Sequence, residues 1–109
     1  MKYLKSYEQN KPIISLNYSN EKLTDLPKLP NSLKILDCDN NNLTQLPELP
    51  NSLEILYCNY NNLNQLPKLP KLLIELNCIY NKLTQLPELP NTLEYLYCNH
   101  NNLKKIPKL

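Results

Sequence analysis

The chain has 109 residues, twelve lysines against ten acidic residues, a formal charge of +2 and no arginine. This is the length of one domain, and a near-balanced charge without arginine lacks the basic stripe of a nucleic-acid binder. No apolar run approaches the roughly 18 residues of a membrane span, and the segment from Met1 to Glu8 lacks the apolar core of a secretory signal, so a cytoplasmic location is expected. Gly, Ala, Val, Phe and Trp are also missing. Without Gly, the left-handed backbone positions that turns need are expected to fall to Asn, which tolerates them best among the remaining residues. Leucine at strict spacing argues against a disordered low-complexity chain.

Residues 1–12 precede any repeat and are expected to form an N-terminal cap. Tyr3, Leu4 and Tyr7 share one helical face there, which suits a short helix or an irregular cap. From residue 13 onward the chain is periodic. Cys38, Cys58, Cys78 and Cys98 are 20 residues apart, as are Asn41, Asn61, Asn81 and Asn101, and Leu43, Leu63, Leu83 and Leu103. Proline pairs follow the same period: Pro27/Pro30, Pro47/Pro50, Pro67/Pro70 and Pro87/Pro90, then Pro107 alone. Such a period indicates a solenoid or a propeller. The units are 13–32, 33–52, 53–72, 73–92 and 93–109. In the first, Ile13, Leu16 and Leu23 keep the apolar sites, but Tyr18 takes the Cys position and Glu21 the Asn position. Terminal repeats are atypical because they cap. The fifth stops at Leu109 and carries no capping sequence. Its open edge, with Leu103, Ile106 and Leu109, is expected either to pack against something or to lead into further repeats.

The second unit runs Leu33-Lys34-Ile35-Leu36-Asp37-Cys38-Asp39-Asn40-Asn41-Asn42-Leu43, then Leu46-Pro47-Glu48-Leu49-Pro50. It resembles the leucine-rich repeat L-x-x-L-x-[L/C]-x-x-N-x-L. The L-P-x-L-P stretch is similar to the short 20-residue class found in bacterial effector proteins secreted into host cells and in large DNA viruses of amoebae. The resemblance covers residues 13–109. It implies a repeat solenoid: a right-handed leucine-rich-repeat superhelix with a parallel β-sheet on the concave face, extended polyproline-II-like convex segments and little α-helix. It also implies that Asn41, Asn61, Asn81 and Asn101 lie inside and bond to backbone groups of their own and adjacent turns. A buried amide must find such partners.

The residues support this geometry. Alternation along a strand sends Leu36 and Cys38 inward and Ile35 and Asp37 outward. Prolines three apart forbid a helix and favour polyproline II, which turns Leu46 and Leu49 inward. The four cysteines then form a straight inward row. They are expected to act as small buried apolar residues, unsuited to hold zinc around one point or to pair as disulfides at strand spacing. No metal or cofactor is expected. On the convex side Lys28, Glu48, Lys68, Glu88 and Lys108 alternate in sign, a solvated column worth little energy.

Function is expected on the outward positions, which differ between units while the inward ones repeat. One column reads Ser15, Ile35, Ile55, Glu75, Tyr95, and the next Asn17, Asp37, Tyr57, Asn77, Tyr97. Two more read Ser19, Asp39, Asn59, Ile79, Asn99 and Asn20, Asn40, Tyr60, Tyr80, His100. Apolar and aromatic side chains amid Asn and Asp resemble a binding surface. The candidate partner-binding residues are Ile35, Asp37, Ile55, Tyr57, Tyr60, Tyr80, Tyr95 and Tyr97, and the partner is a protein of unknown identity. The lone His100 has no nucleophile in a triad-like setting and reads as a rim residue. The chain is therefore expected to be a non-enzymatic protein-interaction module. Two alternatives are a structural array that self-assembles through its C-terminal end and the recognition arm of a larger effector such as a ubiquitin ligase.

Overall fold

The computed structural model describes residues 11–105. The N-terminal cap residues up to 10, together with Ile106, Lys108 and Leu109, lie outside the described residues. Five strands of three residues each form one parallel sheet: β1 (Ser15–Asn17), β2 (Ile35–Asp37), β3 (Ile55–Tyr57), β4 (Glu75–Asn77) and β5 (Tyr95–Tyr97). Their spatial order is their sequence order. The register shifts by one repeat per strand, so Leu16, Leu36, Leu56, Leu76 and Leu96 fall opposite one another. Each repeat is thus one coil of a leucine-rich-repeat solenoid, and no helix occurs among the described residues.

Short strands give only a few ladder bonds, and the flanking backbone extends them. Cys38 N–H donates to Tyr57 O at 2.8 Å and Tyr60 N–H to Ile79 O at 2.9 Å, and the same contacts recur from coil to coil. After each second proline a turn closes, as with Leu53 N–H to Pro50 O at 3.1 Å. Ser32 and Ser52 bond from that turn to the preceding coil, donating their hydroxyls to Ile13 O and Leu33 O. The convex segments make few backbone bonds of their own, as polyproline II requires. Leu46 and Leu49 are buried, as are their equivalents Leu26, Leu29, Leu66 and Leu69.

Inside, Leu33, Leu36, Cys38 and Leu43 are fully buried, with Leu53, Leu56, Cys58, Leu63, Leu73, Leu76, Cys78 and Leu83 above them. Tyr18, at the Cys position of the first coil, is buried against the same column. The core therefore runs the length of the stack and thins at the fifth coil, where Leu93, Leu96, Cys98 and Leu103 are only half-buried.

The inward asparagines join the coils. Asn41 Nδ2 donates to Tyr18 O at 2.9 Å in the coil before and to Cys38 O at 3.1 Å in its own. Its Oδ1 accepts from the N–H of Glu21 at 3.2 Å and of Leu23 at 2.9 Å. Asn61 repeats this with Cys38 O, Cys58 O and Leu43 N–H, Asn81 with Cys58 O, Cys78 O and Leu63 N–H, and Asn101 with Cys78 O, Cys98 O and Leu83 N–H. Among the described residues no buried side-chain nitrogen or oxygen lacks a partner.

One expectation is corrected here. Asn20 and Asn40 take positive φ as anticipated, but in the later coils the same position is held by Tyr60 (φ 57), Tyr80 (φ 56) and His100 (φ 60). Lys22 is a further left-handed residue in the first coil. The turn demands this backbone at every repeat, whatever the side chain.

Replacing Asn61 by Ala strips partners from Leu43 N–H and from the carbonyls of Cys38 and Cys58. Urea unfolding should show a loss of about 1–3 kcal/mol. Asn64→Ala, at an exposed position, should cost less than about 0.5 kcal/mol.

Candidate functional site

The outward face of the sheet is built by register alone. Ile35 lies opposite Ile55, Ile55 opposite Glu75 and Glu75 opposite Tyr95. In the adjacent column Asp37, Tyr57, Asn77 and Tyr97 follow one another. Ile35, Ile55, Asp37 and Tyr57 are half-buried, because each leans on its neighbours across the strands. Tyr95 and Tyr97 are 50% and 45% exposed. Apolar and aromatic side chains thus occupy these columns in the second, third and fifth coils, and Glu75 and Asn77 separate them in the fourth.

Its polar side chains are fixed by the backbone beneath them. Asp37 Oδ1 accepts from Asp39 N–H at 3.1 Å, as Asn17 Oδ1 does from Ser19 N–H at 2.9 Å. Asp39 Oδ1 accepts from Asn59 N–H, and Asn59 Oδ1 from Ile79 N–H, both at 2.7 Å. This second inter-coil ladder stops at Ile79, whose side chain has no acceptor. Asn77 is buried and donates Nδ2 to Glu75 Oε2 at 2.9 Å. Burial and the nearby charges of Glu75, Asp37 and Asp39 push the Tyr57 phenol above its ordinary pKa. Burial, reinforced by Asp37 and opposed by the bonds from Asn59, also holds the Asp39 carboxyl above its usual range.

Tyr60 and Tyr80 do not sit on the strands. They stand at the left-handed turn position just beyond them and form a ladder along the rim of the sheet. Their rings stack at 4.8 Å and 12°, and the His100 ring continues the stack onto Tyr80 at 4.1 Å and 2°. Tyr60 is 51% and Tyr80 44% exposed. His100 therefore belongs with the candidate residues, and its place 20 positions after Tyr80 is the sequence signal that marks it. Sequence reasoning also passed over Leu72. Ser32, Ser52 and Thr92 occupy its column and donate hydroxyls to backbone carbonyls. Leu72 cannot do so and stands exposed near the opposite rim.

The cysteine row offers no chemistry to this face. Cys38, Cys58 and Cys78 are buried free thiols, Cys98 is half-buried, and Cys38 Sγ donates to Tyr57 O at 3.3 Å. Burial pushes the Cys38 and Cys78 thiols up to about 12, and raises Cys58 and Cys98 as well. They remain protonated and unreactive at neutral pH. Among the described residues no group of three or more His, Cys, Asp or Glu side chains could hold a metal ion, and no helix is long and apolar enough to cross a membrane.

Comparison with known proteins places this architecture among bacterial effectors. A solved structure of a Shigella effector leucine-rich-repeat domain superposes with a TM-score of 0.87 at 36% identity, over 94% of this chain and 46% of that one. YopM, a leucine-rich effector protein from Yersinia pestis, gives 0.81 at 43% identity over 84% of this chain, and YopM from Yersinia enterocolitica 0.69 at 36% over 87%. The chain spans 26% of each YopM chain, so it corresponds to less than half of every one of these relatives. No family profile matches the chain, and no curated protein does.

The raised thiols make stability fall in alkali. Unfolded thiols ionise near 9.0, whereas Cys38 and Cys78 stay protonated in the native state to about 12. Stability from this source is complete below pH 9 and is lost as pH rises toward 12, by up to about 1.4 kcal/mol per pH unit for each buried thiol. Urea midpoints at pH 8 and in mild alkali should show the decline, and Cys58→Ala should make it shallower. Asp39 behaves in the same sense at acid pH. Its native pKa is raised, so its contribution is present below the unfolded value of 3.8 and is lost as pH rises through the native one. Asp39→Asn, which repeats the Asn59 contact, should gain stability relative to the parent between pH 3 and pH 7 in thermal unfolding.

Proposed function

Taking the chain as a leucine-rich-repeat protein of the bacterial effector-like kind, we propose that it is a protein-interaction module that grips its partner on the concave face of the sheet. One observation carries the choice of face. Tyr95 and Tyr97 stand half exposed on adjacent columns of the sheet, the same two columns that carry Ile35, Ile55 and Tyr57. Aromatic side chains held by packed strands offer large contact area at low entropic cost, the composition of interface anchors. Asp37 supplies an oriented carboxylate, and Tyr60 and Tyr80 extend the surface along the rim. The inward columns repeat because coil geometry dictates them. The outward columns are less bound by that demand and carry the differences between coils.

A second reading concerns the setting of the module. The Shigella match is to the leucine-rich-repeat domain of an effector, of which this chain covers 46%. An array of this kind serves as the recognition arm of a larger protein when a catalytic domain is attached. On either reading the described residues serve as the binding surface.

A photo-crosslinking residue at position 95 should capture a partner protein from host-cell lysate, and the same residue at the convex position 48 should not. The double variant Tyr57→Ala, Tyr97→Ala should lose that capture while keeping the native circular dichroism spectrum. Equal capture from both positions, or capture unaffected by the double variant, would place the binding surface elsewhere.

A further inference from the structure

The charges of this chain are sorted by face. The five outward strand segments, 15–19, 35–39, 55–59, 75–79 and 95–99, carry Asp37, Asp39 and Glu75 and no lysine. All twelve lysines and the other seven acidic residues lie elsewhere. A protein with a net charge of +2 therefore presents a wholly acidic binding face. The three carboxylates occupy sheet positions beside Tyr57. Tyr57 pairs in register with Asp37 on one side and with Asn77 on the other, and Asn77 Nδ2 holds the Glu75 carboxylate at 2.9 Å. Asp39 lies two residues along, anchored on Asn59 N–H at 2.7 Å. Burial first, and then the charges of Glu75, Asp37 and Asp39, push the Tyr57 phenol above its ordinary pKa, in keeping with the negative charge gathered there.

We propose that the occupant of the concave face is a basic segment of a protein partner, with an arginine or lysine side chain laid over the Tyr57 ring between Asp37, Asp39 and Glu75. This rests on the preceding reading that the concave face binds protein, and it adds the chemistry of what is bound. An aromatic face attracts a cation through its quadrupole, and carboxylates around it add charge-assisted hydrogen bonds. No lysine on this face competes for the acids. One oxygen of each is held by a hydrogen bond, from the backbone or from Asn77, so little ordering remains to be done on binding. Ile35 and Ile55 on one flank and Tyr95 and Tyr97 on the other accept the apolar stems and neighbours of such a segment. The face repels anionic partners, which selects as well as attracts.

The coils themselves supply neutral replacements that keep every bond. Asn17 makes the contact of Asp37 in the first coil, Asn59 makes that of Asp39 in the third, and a glutamine at position 75 retains an acceptor for Asn77. The triple variant Asp37→Asn, Asp39→Asn, Glu75→Gln therefore removes charge without removing structure. The probe is a fluorescein-labelled peptide with arginines spaced by glycine and serine, against the same peptide with glutamate, followed by anisotropy. The arginine peptide should bind and the glutamate peptide should not. The triple variant should weaken binding at least about tenfold, as should added salt, and Tyr57→Ala should also weaken it. Neutralising the convex pair, Glu48→Gln with Glu88→Gln, should leave it unchanged. Arginine-peptide binding that survives the triple variant, or that is lost equally with the convex pair, would overturn the proposal. Crosslinking from position 95 separates this failure from that of the surface. A lysate partner still captured by the triple variant would keep the concave face and discard the basic segment, whereas no capture from position 95 would discard both.

Discussion

A coil of 20 residues with only three in a strand leaves much of its backbone outside the sheet ladder. Those amides and carbonyls turn inward where the chain leaves the strand, and buried backbone groups without partners cost about 1–3 kcal/mol each. The inward asparagine resolves this at each junction. Its amide reaches carbonyls in two successive coils, and its oxygen accepts from an N–H of the coil before. The same contacts set the register, because an asparagine shifted by one residue would meet none of them. The straightness of the leucine, cysteine and tyrosine columns depends on that register. So does the outward face, since Tyr57 stands between Asp37 and Asn77 only while adjacent coils remain offset by one repeat.

Much of this was legible in the sequence because one constraint is written four times. A single Asn or Cys says little, but Asn41, Asn61, Asn81 and Asn101 at a constant interval after leucines in a two-residue alternation leave few folds open. The prolines excluded helix from the convex side by their own stereochemistry. What stayed hidden followed from contacts that no spacing announces. The stacking of His100 on Tyr80, the bond from Asn59 N–H to Asp39 and the bond from Asn77 to Glu75 all use side chains whose types are permissive at those sites. The rim position was misjudged for a related reason. Turn preference belongs to the backbone, and propensity favours Asn there, yet side chains with another use can occupy it.

Tyr60, Tyr80 and His100 illustrate what such a use involves. A left-handed conformation costs a residue with a β-carbon about 1–2 kcal/mol, less for Asn. The first two coils meet the turn with Asn20 and Asn40, and the next three meet it with aromatic rings. Ring stacking at 4.1 and 4.8 Å returns about 0.5–1.5 kcal/mol per pair, which offsets part of the strain. The exposed ring area gains nothing from the fold of this chain alone. Strain together with exposure, repeated in adjacent coils, is what supports counting the rim within the proposed binding surface.

The two halves of the outward surface then differ in kind. The first coils contribute small polar groups, Ser15 and Asn17, beside the carboxylates of Asp37 and Asp39, while the last contribute Tyr95, Tyr97 and the stacked rim. The face is polar in its first coil and aromatic in its last, and between them Tyr57 has acid on both sides, Asp37 in the second coil and Glu75 in the fourth. A partner crossing the strands would meet charge in the second and fourth coils and aromatic area in the third and fifth, so long-range attraction and short-range packing would act side by side across the face.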